Sequence, residues 1–179
     1  FTNDGRPDLA LATAAGIRLY VNENGTSFRE VTTEAGVNAV GGVFLGLHFV
    51  DLDQDGDLDL LAAKYTDTDA EAMRSLKAGP PAKGGAVVWL NVGDALPGPT
   101  PGLTARFRRG DNLGPLSGTT AAVVGFVVTD VDNDRDVDVI VLRDHEAPLT
   151  ILNDRLLRFR IGTPFTSAAE RWQGGAVLN

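Results

Sequence analysis

The sequence predicts an all-β protein made of β-propeller blades of four antiparallel strands, with about three blades in the chain. Two observations predict this class. Short apolar runs of strand length recur in the same order, and an aspartate-rich loop recurs between the first two runs of a unit. None of the runs has the 3.6-residue period of a helix. Four short strands per unit, at a spacing of about 50 residues or more, are typical of a propeller blade.

The composition agrees with a packed and acidic domain. The chain has 179 residues, of which 43% are hydrophobic and 21 are glycine, so a core and many tight turns are expected. The formal net charge of −8 disfavours nucleic acid and anionic membrane surfaces as partners. No apolar run is long enough for a membrane-spanning helix, so membrane insertion is not expected. The absence of cysteine excludes disulfides.

Each unit reads as strand A, an Asp loop, and strands B, C and D. A glycine, Gly46 or Gly125, stands before strand A in the two complete units, and strand C ends in an asparagine in all three. The first unit begins inside its Asp loop and lacks a strand A. We assign repeat 1 to residues 1–45, repeat 2 to 46–124, repeat 3 to 125–173, and a strand A of the next blade to 174–179.

Two insertions interrupt the second repeat. Residues 65–86 lengthen its B–C connection, and residues 92–104 lengthen its C–D connection. We expect a short helix between Thr66 and Lys77, ended by the Gly-Pro-Pro sequence that follows. Alternate connections of a meander lie at opposite ends of its strands, so the first insertion should lie opposite the Asp loops and the second beside them. Long loops on a rigid scaffold often determine which ligand is bound. The alternative is that these insertions have no functional role.

The second Asp loop predicts a calcium site. Its pattern D-x-D-x-D-G-x-x-D places carboxylates at loop positions 1, 3, 5 and 9, and a backbone carbonyl at position 7 completes the predicted set. Calcium takes roughly six to eight hard oxygen ligands, whereas magnesium demands a stricter octahedron with fewer carboxylates. Calcium is therefore the predicted cofactor. The predicted ligands are Asp51, Asp53, Asp55, Asp57 and Asp59.

The other two loops depart from this pattern. The third has Arg135 where the second has Gly56, and if this position needs a positive φ the side chain costs on the order of 1 kcal/mol. The guanidinium also adds positive charge, so weaker binding is expected there. The first loop lacks position 1 and is an incomplete site. The predicted ligands are Asp130, Asp132, Asp134, Asp136 and Asp138 in the third loop and Thr2, Asp4, Arg6 and Asp8 in the first.

Two other interpretations of these loops compete with a calcium site. An EF-hand needs a glutamate at position 12 and flanking helices, but Ala62 and Val141 stand there in strand-like runs. The other interpretation is that the loops are solvated acidic turns without a metal. Two near-complete copies of the Asp motif, each between a strand A and a strand B, argue against it. A site of this kind is expected to be structural, because the ion neutralises clustered carboxylates and its binding free energy contributes to folding.

The complete loop at 51–59, the stretch LYVNENGTSFREVTTEAGV at 19–37 and the glycine before strand A together resemble the FG-GAP/VCBS repeats of integrin α-like propellers. The chain is also similar to bacterial exported proteins that resemble cartilage acidic protein. The resemblance implies a calcium-stabilised propeller used for adhesion or ligand binding outside the cytoplasm.

The functional interpretation is a non-catalytic, calcium-binding module for adhesion or for binding a protein or glycan ligand, located outside the cell, at its surface or in the periplasm. No Gly-x-Ser-x-Gly elbow, phosphate loop or acid–base pair is present, so the chain is not expected to be an enzyme. One alternative is the propeller domain of a lyase or phospholipase-like enzyme. The other is a structural subunit that assembles head to tail.

Three blades are too few to close a ring, because propellers have roughly 4–8. We expect either further blades of a longer chain or a homo-oligomer. In the homo-oligomer, the strand at 174–179 would complete the first blade of a neighbouring copy, and such head-to-tail contacts close only if the rotation closes.

Overall fold

The computed structural model describes residues 1–37, 40–79, 83–93 and 103–163. Within these ranges the chain forms eleven strands and one helix. In chain order the elements are β1 (Leu9–Thr13), β2 (Gly16–Asn22), β3 (Phe28–Glu30), β4 (Val43–Val50), β5 (Asp59–Thr66), α1 (Asp69–Ala78), β6 (Gly85–Asn91), β7 (Phe107–Arg109), β8 (Val123–Thr129), β9 (Asp138–Arg143), β10 (Leu149–Asn153) and β11 (Phe159–Gly162).

The strands form three antiparallel meanders in chain order: β1-β2-β3, β4-β5-β6-β7 and β8-β9-β10-β11. The predicted fold class is confirmed, since the sheets are blade-like units of four strands with one three-stranded unit at the start. The strand predicted at 174–179 lies outside the described residues. The exact repeat boundaries stay a prediction.

The sheets pack face to face, and residues of β5 belong to both of the cores between them. Side chains alternate between the two faces of a strand. Leu60 and Ala62 therefore join Leu19 of the first sheet in one core, and Leu61 joins Val141 of the third sheet in another. Because both faces of β5 are buried, its sequence contains a continuous apolar run. The two cores place the middle sheet between its two neighbours, as in a propeller.

The glycines predicted to precede strand A lie inside the strands instead. Gly46 is in β4 and Gly125 is in β8, and the pairing register shifts beside each of them. A β-carbon on Gly46 would lie 3.6 Å from the α-carbon of Gly125. That distance is an ordinary van der Waals contact, whereas glycine is typical of β-bulges, which the register shifts indicate, so strand A begins earlier than the sequence suggested.

The helix predicted in the first insertion is confirmed as α1, although it begins later than Thr66, which still belongs to β5. Thr68 is the N-cap and its hydroxyl accepts the Glu71 amide. The hydroxyl of Tyr65 lies 2.9 Å from the Ser75 hydroxyl and donates to Asp144 at 2.8 Å. The helix is thereby connected to the third sheet at the end of β5 remote from Asp59.

Two glycines with nearly the same φ provide a test of the packing between the first two blades. Gly36 has φ +84° and a β-carbon there would lie 2.5 Å from the Phe107 carbonyl oxygen, whereas Gly25 has φ +81° and open space around it. Gly25→Ala should cost on the order of 1 kcal/mol for its φ alone. Gly36→Ala should cost about 1–3 kcal/mol more from the backbone clash. Urea unfolding measures both, and equal losses would contradict the predicted clash.

Candidate metal centre

The aspartate at position 9 organises the second Asp loop. Asp59 is fully buried at the start of β5. Its Oδ2 accepts the backbone N–H of Leu52 at 3.0 Å, and its Oδ1 accepts that of Asn91 at 2.7 Å. One carboxylate therefore joins the second position of the loop, the first residue of strand B and the last residue of strand C.

The same arrangement occurs in the other two blades. Asp138 accepts the N–H of Val131 at 2.7 Å and that of the last residue of β10 at 2.8 Å. Asp8 accepts the backbone N–H groups of Thr2 and Asn22, each at 3.0 Å, and its Oδ2 also pairs with the terminal ammonium of Phe1 at 3.0 Å. The sequence showed an asparagine at the end of every strand C but gave it no role. The structure shows that its backbone amide fixes the loop carboxylate.

The turn of each loop also has a common backbone. Position 4 is left-handed, with φ near 60°, in Asn3, Gln54 and Asn133. The residue at position 6 also has a positive φ, which is 79° in Gly5, 94° in Gly56 and 78° in Arg135. Arg135 therefore adopts a positive φ despite its side chain, at a cost on the order of 1 kcal/mol. The loops share one shape although their side chains differ.

The second loop brings three predicted ligands together. Asp51, Asp53 and Asp55 each offer a carboxylate oxygen, and these oxygens lie within 4.8 Å of one another. Asp51 Oδ1 and Asp53 Oδ1 are buried and accept no hydrogen bond from the described residues. Burial raises the pKa of Asp53, and the neighbouring charges of Asp55 and Asp51 raise it further. Buried acceptors without partners are costly, so this cluster fits a bound cation.

The remaining two predicted ligands of this loop are engaged differently. An Oδ atom of Asp57 accepts the Asn3 side-chain amide at 3.3 Å, and the Asp57 backbone amide donates to Asp55 Oδ1 at 2.9 Å. Both oxygens of Asp59 accept backbone amides. Whether the Asp57 carbonyl and the Asp59 carboxylate also bind an ion stays a prediction.

The third loop gathers carboxylates too, in two overlapping groups. One contains Asp130, Asp132 and Asp138, and the other contains Asp132, Asp134 and Asp154. Asp154, the residue after the strand-C asparagine, was not predicted as part of the site. In contrast to Asp51, Asp130 uses both of its oxygens to accept the backbone amides of Asp134 and Arg135.

Arginines of the same blade pair with the third loop. Arg160 on β11 places Nη2 2.8 Å from Asp132 Oδ2 and Nε 2.8 Å from Asp154 Oδ1. Nε of Arg155 lies 3.3 Å from Asp136 Oδ2. The sequence predicted positive charge near this loop from Arg135, but the ion pairs come from Arg155 and Arg160. Cationic side chains thus neutralise part of the charge that a metal would otherwise balance.

The first loop is also neutralised from within. Arg6 forms an ion pair with Asp4, and its Nε donates to the Asn22 carbonyl at 2.7 Å. The Thr2 hydroxyl donates to Asp8 Oδ2 at 2.8 Å. Within the described ranges, this loop contributes no group of three carboxylates. The residues here fit an ion less well than those of the second loop.

Residues 1–62, which include the first blade and the second Asp loop, match the family of FG-GAP-like repeats. The resemblance predicted from the sequence is therefore confirmed over this part of the chain. The comparison with curated proteins finds no significant match. FG-GAP-like repeats are typically non-catalytic modules and are typically found in extracellular proteins. Residues 1–62 are thus similar to an FG-GAP-like repeat, and the three blade-like sheets agree with a β-propeller-like module.

Of the helices among the described residues, none combines the length and the apolar character needed to cross a lipid bilayer.

The buried carboxylate of Asp59 predicts a pH dependence in metal-free protein. Burial raises its pKa to about 7, despite the two backbone amides that lower it, from an ordinary value of 3.8. Between these pH values the folded protein binds a proton that the unfolded chain does not, so stability should fall as pH rises from about 4 to about 7. The expected loss is on the order of 1–3 kcal/mol.

Urea unfolding in chelator at several pH values measures this dependence. Asp53 and Asp138 have raised pKa values as well, so their contributions have the same sign. Asp59→Asn should flatten the slope. A stability that increases with pH across this range would show that the Asp59 carboxylate is ionised in the folded protein.

Proposed function

We propose that this chain is a non-catalytic, calcium-stabilised module that binds a protein or glycan ligand outside the cytoplasm. One observation carries the calcium part of the proposal. Asp51 and Asp53 each hold a buried carboxylate oxygen without a hydrogen-bond partner among the described residues, beside a third carboxylate from Asp55. A divalent cation is the partner that this set of oxygens fits.

The donor set favours calcium over other metals. The three clustered groups are carboxylates, and the described residues place no histidine in the cluster. Hard oxygen ligands suit calcium and magnesium rather than zinc or copper, and several carboxylates in an irregular loop suit the flexible coordination of calcium better. When bound, the ion supplies the positive charge that allows these carboxylates to stay ionised at close range.

The role of the ion in this proposal is structural. The loop lies between strands A and B of the middle blade, whose two faces form the cores with both neighbours. Fixing this loop fixes the start of β5. Because the unfolded chain has no preformed site, the binding free energy adds to the free energy of unfolding.

Support for ligand binding comes from the opposite end of the blades. A cavity of about 610 Å³ lies there, lined partly by Arg143, Asp144 and His145. Ser75 of helix α1 is connected to the same region through the Tyr65 hydroxyl, which donates to Asp144. Cavities with a few polar groups on a rigid scaffold are the usual place for ligands. We propose that the ligand contacts this end, away from the Asp loops.

The first blade also supports assembly with further strands. β1 pairs with β2 on one side, and no described strand pairs with its other edge. Leu9 and Leu11 on β1 are 38% and 44% exposed. Unpaired edges with apolar side chains favour addition of a strand. We propose that a strand A from a neighbouring copy, or from a further part of a longer chain, covers this edge.

Calorimetry on chelator-treated protein tests the calcium site. The wild type should bind calcium, and free calcium at a hundredfold excess over Kd should raise stability by about 2–3 kcal/mol. Asp53→Asn should weaken this binding at least about tenfold, because it removes a negatively charged ligand from the cluster. Asp132→Asn makes the same change at the same position of the third loop and should leave the affinity within about twofold.

Equal losses in the two variants would show that the second loop is not the main site. If the wild type showed no calcium uptake and no change in melting temperature, the acidic loops would be solvated turns.

Ligand binding is tested with glycan and protein arrays in calcium and in chelator. We expect retention of a bound ligand that decreases in chelator, since loss of the ion loosens the blades, with no chemical change to the ligand. Asp53→Asn should reproduce the effect of chelator. Release of cleaved products from an arrayed glycan or lipid would instead favour the enzyme alternative.

A further inference from the structure

The residue at position 4 of one Asp loop reaches across to the next blade. Gln54 lies between two of the clustered aspartates of the second loop, yet its side chain points away from them. Its Nε2 donates to the Arg135 carbonyl at 3.1 Å and to Asp136 Oδ1 at 2.7 Å. These acceptors are positions 6 and 7 of the third loop.

Asn3 makes the same contact one blade earlier. Its Nδ2 donates to the Gly56 carbonyl at 3.2 Å and to Asp57 Oδ1 at 3.3 Å, which are positions 6 and 7 of the second loop. Asn3 and Gln54 also have the same left-handed backbone, with φ 60° and 61°. The interface between the first and second blades and the interface between the second and third blades thus have the same contact. In both, position 4 of one loop donates to positions 6 and 7 of the loop in the next blade, although glutamine is one methylene longer than asparagine.

The segment that accepts the Asn3 side chain, Gly56 and Asp57, also orients the clustered carboxylates. The Gly56 amide donates to Asp51 Oδ2 at 3.1 Å, and the Asp57 amide donates to Asp55 Oδ1 at 2.9 Å. Two of the three clustered carboxylates are therefore oriented by the two residues whose oxygens accept the Asn3 side chain. Movement of this turn would move the carboxylates with it.

We propose that Asn3 is a positioning residue for the ion of the second loop, acting from the neighbouring blade without contacting the ion. Gln54 holds the turn of the third loop in the same way. The inference rests on the proposed calcium site and adds that its affinity depends on the contact between blades. By linkage, calcium bound in the second loop should in turn strengthen the contact between the first and second blades.

Asn3→Gly is the sharpest test, because glycine keeps the positive φ and removes only the amide. Calcium affinity measured by calorimetry should fall about fivefold, as expected for the loss of hydrogen bonds that orient the ligands. Asn3→Gln should keep the affinity within about twofold, since glutamine makes this contact from Gln54. Asn133→Gly is the matched control: it has the same loop position and φ, is exposed, and has no side-chain hydrogen bond within the described residues.

The outcomes separate the inference from the proposed function. No calcium uptake by the wild type overturns both. Uptake by the wild type that Asn3→Gly leaves unchanged overturns only the inference, as does an equal loss in Asn133→Gly. If Asn3→Gly does not fold in chelator, Asn3→Asp replaces the donor with a carboxylate facing Asp57 and should weaken binding at least as much. Retained affinity in Asn3→Asp would overturn the inference.

Discussion

In each described blade, one buried carboxylate at the ninth position of the Asp loop connects the loop to the end of strand C. Asp8, Asp59 and Asp138 each accept two backbone amides, one from within the loop and one from the end of strand C. An amide left unpaired at these places would be buried and costly. The carboxylate therefore sets the path of the loop before any metal is considered, and the other acidic residues are arranged on a backbone that is already fixed.

This constraint explains why the loops keep one shape while their charges differ. The left-handed residues at positions 4 and 6 recur in all three loops, even where position 6 is arginine. The shape determines where a cation could lie, and the surrounding side chains determine whether one is needed. In the second loop two buried oxygens have no partner among the described residues. In the third loop Arg160 pairs with Asp132. The difference between the sites lies outside the Asp motif.

The repeat pattern predicted the strands and the loops because both are local in sequence. Alternating apolar runs specify strands, and the spacing from Asp51 to Asp59 specifies the acidic turn. The pattern could not predict contacts that depend on register between strands or on packing between blades. Arg160 reaches Asp132 only because β11 pairs with β10 beside the loop. Gly46 looked like a residue before a strand, and only the pairing of β4 with β5, whose register shifts between Phe44 and Gly46, shows its place inside one.

The arginine pairs of the third loop have a consequence for how the protein responds to its surroundings. A guanidinium tethered to the chain is present at every calcium concentration, whereas a bound ion leaves when the concentration falls below its Kd. With calcium in the proposed site of the second loop, one molecule would combine a permanent counter-charge in its last described blade with an exchangeable one in its middle blade. On dilution into a calcium-poor medium, loosening would begin in the middle of the module rather than at its last described blade.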